Sequence, residues 1–190
     1  MAQNHEKTDF VDYLASLLEV NNRGALADLR RGVAGPPGTV PAAYPYVIPH
    51  LPKSIDPAGN QAIPYFLIAS LFALYFSGKG KEVAGTEENI GRAFRSAKLK
   101  TSTARGTSSD EPDSTDQRFV ALLNSDYDDL PNHLRHAVSF LKSNEIPLDW
   151  HQLLKDLKNW GHPDRFVQKN WAKGFWGYSA TKSNPDEEKQ

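Results

Sequence analysis

The chemistry this sequence offers most clearly is phosphate binding by spaced arginines. In the stretch from residue 23 to 31, RGALADLRR, about 100° of rotation per residue puts Ala25, Leu26 and Leu29 on one arc and Arg23, Arg30 and Arg31 on the other. A guanidinium is planar, permanently charged and able to hold two phosphate oxygens at once. Packed through its apolar arc, such a helix would offer the arginine arc to phosphates; the plainer reading is a solvated face, which surface helices normally carry. A second basic stripe, Arg165, Lys169 and Lys173, runs at four-residue steps. An offset of two residues, about 200°, turns it away from Val167, Trp171 and Phe175.

Residues suited to catalysis are present but poorly set. His133 and His136 share a helical face and could take a metal with a third ligand, yet no acid accompanies them on that face. Asp126, Asp128 and Asp129 precede Pro131, where acids favour a turn and a helix start over a nuclease metal site. The stretches GVAGPPGT (32 to 39) and GKGKEVAGT (78 to 86) lack the order of a phosphate loop. Trp150, Trp160 and Trp171 fall in phase with leucine or valine and read as core, whereas Trp176 and Tyr178 suit either the end of a bundle or a partner contact. No catalytic residue, metal site or cofactor is expected.

The elements that must position these groups are helical. The chain has 190 residues, 39% apolar and 24% charged, and no cysteine, which excludes disulfides, thiolate metal sites and cysteine nucleophiles and fits a reducing cytoplasm. Its first residues lack a signal pattern, and its longest apolar run, Tyr65 to Phe76, suits a buried helix and is too short to span a bilayer. Net charge is −1, but residues 101–117, 184–190 and 1–9 contribute −3, −2 and −1, leaving +5 on the remainder. The segments expected to fold are therefore mildly basic, and the acid is assigned to segments expected not to.

Thr8 or Asp9 can cap a helix burying Phe10, Leu14, Leu17 and Leu18, and Asn22 can cap RGALADLRR. Residues 32–60 are rich in proline and glycine and leave room only for a short helix near 42–48. Pro64 starts a central helix over 65–77, apolar nearly all round, and Asn89 starts one through Leu99, with Arg92, Arg95 and Lys98 at every third position. Further helices follow from Phe119, Leu122 and Leu123, from Leu134, Val138 and Leu141 after Pro131, and from Trp150 to Trp160 after Asp149, ending at Gly161. The last follows Pro163. Without sustained alternation, the fold is expected to be all-α: two small helical bundles, 1–100 and 118–180, joined by a polar, acidic linker at 101–117, with a disordered tail at 181–190.

Several segments in order, RGALADLRR, FLIASLFALY (66 to 75), NIGRAF (89 to 94), QRFVALLNS (117 to 125), LRHAVSFLKS (134 to 143) and IPLDWHQLLKDLKNWG (146 to 161) followed by NWAKGFWGY, resemble the CasB family. That family is the small subunit of the type I-E CRISPR surveillance complex called Cascade. The resemblance implies a non-catalytic helical protein, present as two copies in a ribonucleoprotein beside backbone and large subunits. It would stabilise the guide RNA with its target strand and hold the displaced, non-target DNA strand. By motif match that role falls on Arg30, Arg31, Arg118, Arg135 and Arg165, and Lys142 in the LRHAVSFLKS segment joins Arg23, Lys169 and Lys173 in the candidate set. The acidic linker and tail, and Asp164 beside Arg165, depart from the family's basic character. The alternative reading is a helical adaptor whose basic stripes meet acidic protein surfaces without touching nucleic acid.

Overall fold

The computed structural model describes residues 9–78, 89–109 and 111–177, and the described residues contain helices and no strand. The first helix, α1 (Phe10–Glu19), is capped by Asp9, whose carboxylate accepts from Val11 N–H at 2.9 Å, and the second, α2 (Arg23–Arg31), by Asn22, which accepts from Ala25 N–H. Ala25 and Leu29 are the fully buried anchors of α2; Leu26, expected beside them, is only half-buried. The proline-rich stretch then makes α3 (Tyr44–Val47) between 3-10 turns. Helix α4 (Ile63–Tyr75) starts two residues before the expected Tyr65, with Pro64 in its first turn, where the missing N–H has no intrahelical partner to lose. It is buried on nearly every side, as its uniform hydrophobicity requires.

Helix α5 (Ile90–Arg105) begins at Asn89, as expected, but runs six residues past Leu99 into the expected linker. It stops where a left-handed residue first becomes cheap: Gly106 has φ 67°, and Thr107 N–H reaches back to Ser102 O at 3.0 Å, closing the last turn. Helix α6 (Ser114–Asn124) takes the other end of that segment through a reciprocal cap, Asp113 accepting from Thr115 and Asp116 N–H while Asp116 accepts from Asp113 N–H. The acid assigned to unfolded chain is thus partly helix cap, as Asp9 is. Asp116 also pairs with Lys98 at 2.6 Å, both side chains largely buried.

Helices α7 (Leu130–Ser143), α8 (Trp150–Lys158) and α9 (Phe166–Trp176) follow the expected apolar periods, with Asp149 capping α8. The end of α8 comes at Lys158, capped by Asn159 and not marked by Gly161. Two glycines set the crossing of α5 and α9. A Cβ on Gly91 would overlap the Trp171 carbonyl, and one on Gly174 would lie 2.6 Å from Asn89 Oδ1. The two backbones touch because neither position carries a side chain.

The halves do not keep apart. Helix α4 packs on α2 and also on α7 and α8, while α5 packs on α6, α7 and α9. Tyr75 Oη donates to Ile146 O at 2.7 Å, and Phe72, Tyr75 and Phe76 surround the Trp150 ring. The buried side chains of both halves form one hydrophobic cluster. The expected tail at 181–190 and Tyr178 lie outside the described residues.

Candidate nucleic-acid interface

Arg23 and Arg30, two helical turns apart, face the same way from α2. They line an open groove of about 740 Å³ whose walls come from Leu18 in the last turn of α1, from Asn21 after it, and from Ala73, Phe76 and Ser77 at the end of α4. The lining includes Leu26, which explains why that leucine is only half-buried, and among the described residues it includes no acid. Arg23 Nε donates to Asn21 Oδ1 at 3.4 Å, a contact that orients its guanidinium at the groove edge. Arg31 points elsewhere: its guanidinium pairs with Asp28 at 2.6 Å, and the other Asp28 oxygen accepts from Tyr46 Oη at 3.5 Å. The arginine side chain of that pair is mostly exposed, so solvent screens it and a phosphate can compete.

Lys142, expected among the strand-binding residues, stands beside this groove with its ammonium turned to the end of α4. Its ammonium donates to Leu74 O at 2.9 Å and to Ser77 O and Oγ, both at 2.6 Å. Two of these acceptors are carbonyls at the end of α4, where a positive charge also suits the helix dipole.

Arg118 on α6 reaches over α7, its guanidinium carbon 5.4 Å from the Phe140 ring centre. It lines a second groove, of about 530 Å³, together with His133 and His136. The two histidines share a face, as their spacing predicts, but no third ligand reaches them among the described residues. Arg135, half-buried on the same helix, is not part of this lining.

On α9, Lys169 and Lys173 are exposed opposite buried Val167, Trp171 and Phe175. Arg165 is held in place: it sits at φ 50° just before the helix, and its guanidinium donates to Leu123 O, the open end of α6, at 2.6 Å. The structure therefore brings Arg23 to Arg30 and Arg118 to the histidine pair, while Arg165 and Lys142 brace helix ends.

The remaining chemistry reads as structure. Asp126 accepts from Asp128 and Asp129 N–H, making the turn before α7. Gly38, at φ 83°, packs on the Phe66 ring, and the second glycine stretch beyond Gly78 lies outside the described residues. One group of metal-ligating type that sequence order hides, Asp9, Asp12 and His151, comes together on the surface. His151 Nε2 lies 3.0 Å from Asp12 and 3.4 Å from Asp9, tying α1 to α8 across 139 positions. Burial pushes the Asp156 carboxyl up, and hydrogen bonds from Trp171 and Gln152 offset only part of that. Burial also acts upward on Asp116, but the Lys98 ammonium and the Asp113 N–H outweigh it and hold the carboxyl below the usual range. Neither group faces the grooves. Among the described residues no helix is long and apolar enough to cross a membrane.

The sequence pattern of the family described as CRISPR-associated protein Cse2 matches residues 25–176. A CRISPR-associated protein Cse2 from Thermus thermophilus is 34% identical over 164 residues, covering 86% of this chain and 85% of its own length. The crystal structure of CasB from Thermus thermophilus superposes with a TM-score of 0.71 at 31% identity, over 91% of this chain and 99% of that one. A chain of a CRISPR RNA-guided surveillance complex follows at TM-score 0.65 and 25% identity, over 89% of each chain. A pattern match that takes in the α6–α7 groove and the α5–α9 crossing, with this degree of identity along most of the fold, means that the chain belongs to the Cse2 (CasB) family of CRISPR-associated proteins.

Proposed function

We propose that the protein is a non-catalytic structural subunit of a cytoplasmic type I-E Cascade complex. Its role is to steady the guide RNA with its target strand and to hold the displaced DNA strand by its phosphates. The observation that carries this reading is the α2–α4 groove, where Arg23 and Arg30 face one open channel lined, among the described residues, by no acidic side chain. A single strand can be held without sequence preference by such a positive track, while sequence is read by guide pairing. Family membership and likeness to a chain of a surveillance complex support the assembly, with a second copy and the backbone and large subunits as partners.

The test is strand binding across a salt series. Arg23→Ala with Arg30→Ala should weaken binding of a single strand and lower the salt slope by about 0.7 for each phosphate that is no longer neutralised. An unchanged slope in the double variant would overturn the groove's role. Retention of partner subunits after nuclease treatment, combined with unchanged strand binding, would favour the adaptor reading.

A further inference from the structure

We propose that the groove between α6 and α7 is a docking pocket for one unpaired base of the bound strand. This rests on the nucleic-acid reading above and gives the second groove a task different from the first. Its floor is aromatic: Phe140 is half-buried, and Phe94 lies beneath it with ring centres 5.5 Å apart. Over that floor the Arg118 guanidinium lies 5.4 Å from the Phe140 ring centre. Beside that ring the exposed, planar guanidinium offers a flat plate, and unpaired bases stack on guanidinium planes as they do on aromatic rings.

The rim supplies the rest of a nucleotide's needs. His133 and His136 project into the same groove one helical turn apart, with ring nitrogens to pair with base edges or phosphate oxygens. Among the described residues the lining contains no carboxylate, so its charge suits a phosphate-bearing occupant. At about 530 Å³ the groove lies within the roughly 300–1,000 Å³ typical of small-ligand sites. Ala121 and Ala137 keep its walls low, leaving the plate reachable from solvent. The α2–α4 groove differs: its two arginines are joined by aliphatic walls and Phe76, which is 5% exposed, so it offers a backbone track and no base platform.

The experiment compares the full chain binding two strands of equal length at low salt, one intact and one with its bases removed. With the phosphate count unchanged, the ratio of affinities reports base contacts alone. The wild type should favour the intact strand by roughly tenfold, the scale of one base–aromatic stack. Phe140→Leu should bring the ratio near one, and so should Arg118→Lys, which keeps the charge and loses the plate. Arg118 is on the surface, so Arg118→Lys serves even if Phe140→Leu disturbs the fold. A tenfold ratio that survives in both variants would move the base contact elsewhere, and a ratio of one in the wild type would overturn the pocket. In that last case, weaker binding of both strands by the Arg23→Ala, Arg30→Ala variant would leave the phosphate track standing. Binding of neither strand by the wild type would end both readings.

Discussion

Single charged groups in this protein divide by what their donors and acceptors already serve. Lys142 spends its ammonium on α4, so Lys142→Met should lower stability by about 1.5–3 kcal/mol, the range for hydrogen bonds to charged groups, while the salt slope of strand binding stays as in the wild type. Thermal melting alongside the salt series checks both. Two buried carboxylates give opposite pH signatures. The folded Asp116 carboxyl is held below its ordinary range, so its pairing with Lys98 stabilises at neutral pH and that contribution fades as pH falls through the folded value. Lys98→Met should therefore cost about 1–3 kcal/mol at pH 7 by leaving a largely buried carboxylate with only the Asp113 N–H, and less as the carboxyl protonates. The folded Asp156 carboxyl is raised, so the folded state binds the proton more tightly and gains stability as pH falls from 7 through that raised value. In Asp156→Asn one of the two donors, Trp171 Nε1 or Gln152 Nε2, meets an amide NH₂ where an oxygen stood. The variant should lose about 1–3 kcal/mol at pH 7, and the gap to wild type should widen in acid, because asparagine does not titrate. Urea unfolding from pH 7 down to about pH 3 separates the two signs, because the Asp116 loss sets in only below the ordinary carboxylate range.

Among elements, the crossing of α5 and α9 is the most sensitive to a single methyl group. Gly91→Ala has no room, because its Cβ would meet the rigid Trp171 carbonyl and not the end of a movable side chain. The helices must part, loosening Phe94, Phe119 and Phe175, whose rings pack in a row, and the loss should reach or exceed about 3 kcal/mol. Urea unfolding checks this, with Gly161→Ala as the control, since nothing lies near that glycine. The same two helices show what sequence reading can and cannot reach. Apolar periods and caps are legible: Asn22, Asn89 and Asp149 each cap the helix they precede, and Trp150, Trp160 and Trp171 are core. The length of α5 is not, because its last turns, KTSTAR, have a polar outer face that looks like linker, while Ser102 is buried and the Lys100 ammonium reaches Asn144 O at 2.7 Å beyond α7. Nor are the roles of Arg165 and Lys142, whose partners lie 42 and up to 68 positions away. In the site, helical phase identifies α2 as an arginine helix, but the split between Arg30 and Arg31 follows from Asp28 and from the wall of α4, neither visible in that phase.

At the scale of the whole molecule, the question is whether two halves that look separate in sequence melt separately. Each half read alone has a marginal core, and the covalent link between them at 106–113 is short and polar. The structure joins them elsewhere: Trp150 inserts among Phe72, Tyr75 and Phe76, Tyr75 bonds Ile146, and Lys142 closes the end of α4. Helix α5, which precedes the link in sequence, packs with the helices that follow it. Opening either half would expose apolar surface of the other, so the chain should unfold in one cooperative step. The distribution of tryptophan makes this measurable without labels, since all four tryptophans lie between positions 150 and 176. Tryptophan fluorescence therefore follows the second half, while far-ultraviolet circular dichroism follows every helix. Coincident urea transitions by the two probes are expected, and a fluorescence midpoint displaced from the dichroism midpoint would mean two independent bundles. Tyr75→Phe, which removes the hydroxyl bonded to Ile146, should shift both curves together by about 1 kcal/mol. Such coupling also bears on strand holding, because the α2–α4 groove and the α6–α7 groove can keep a fixed spacing on one strand only if the helices between them act as a single body.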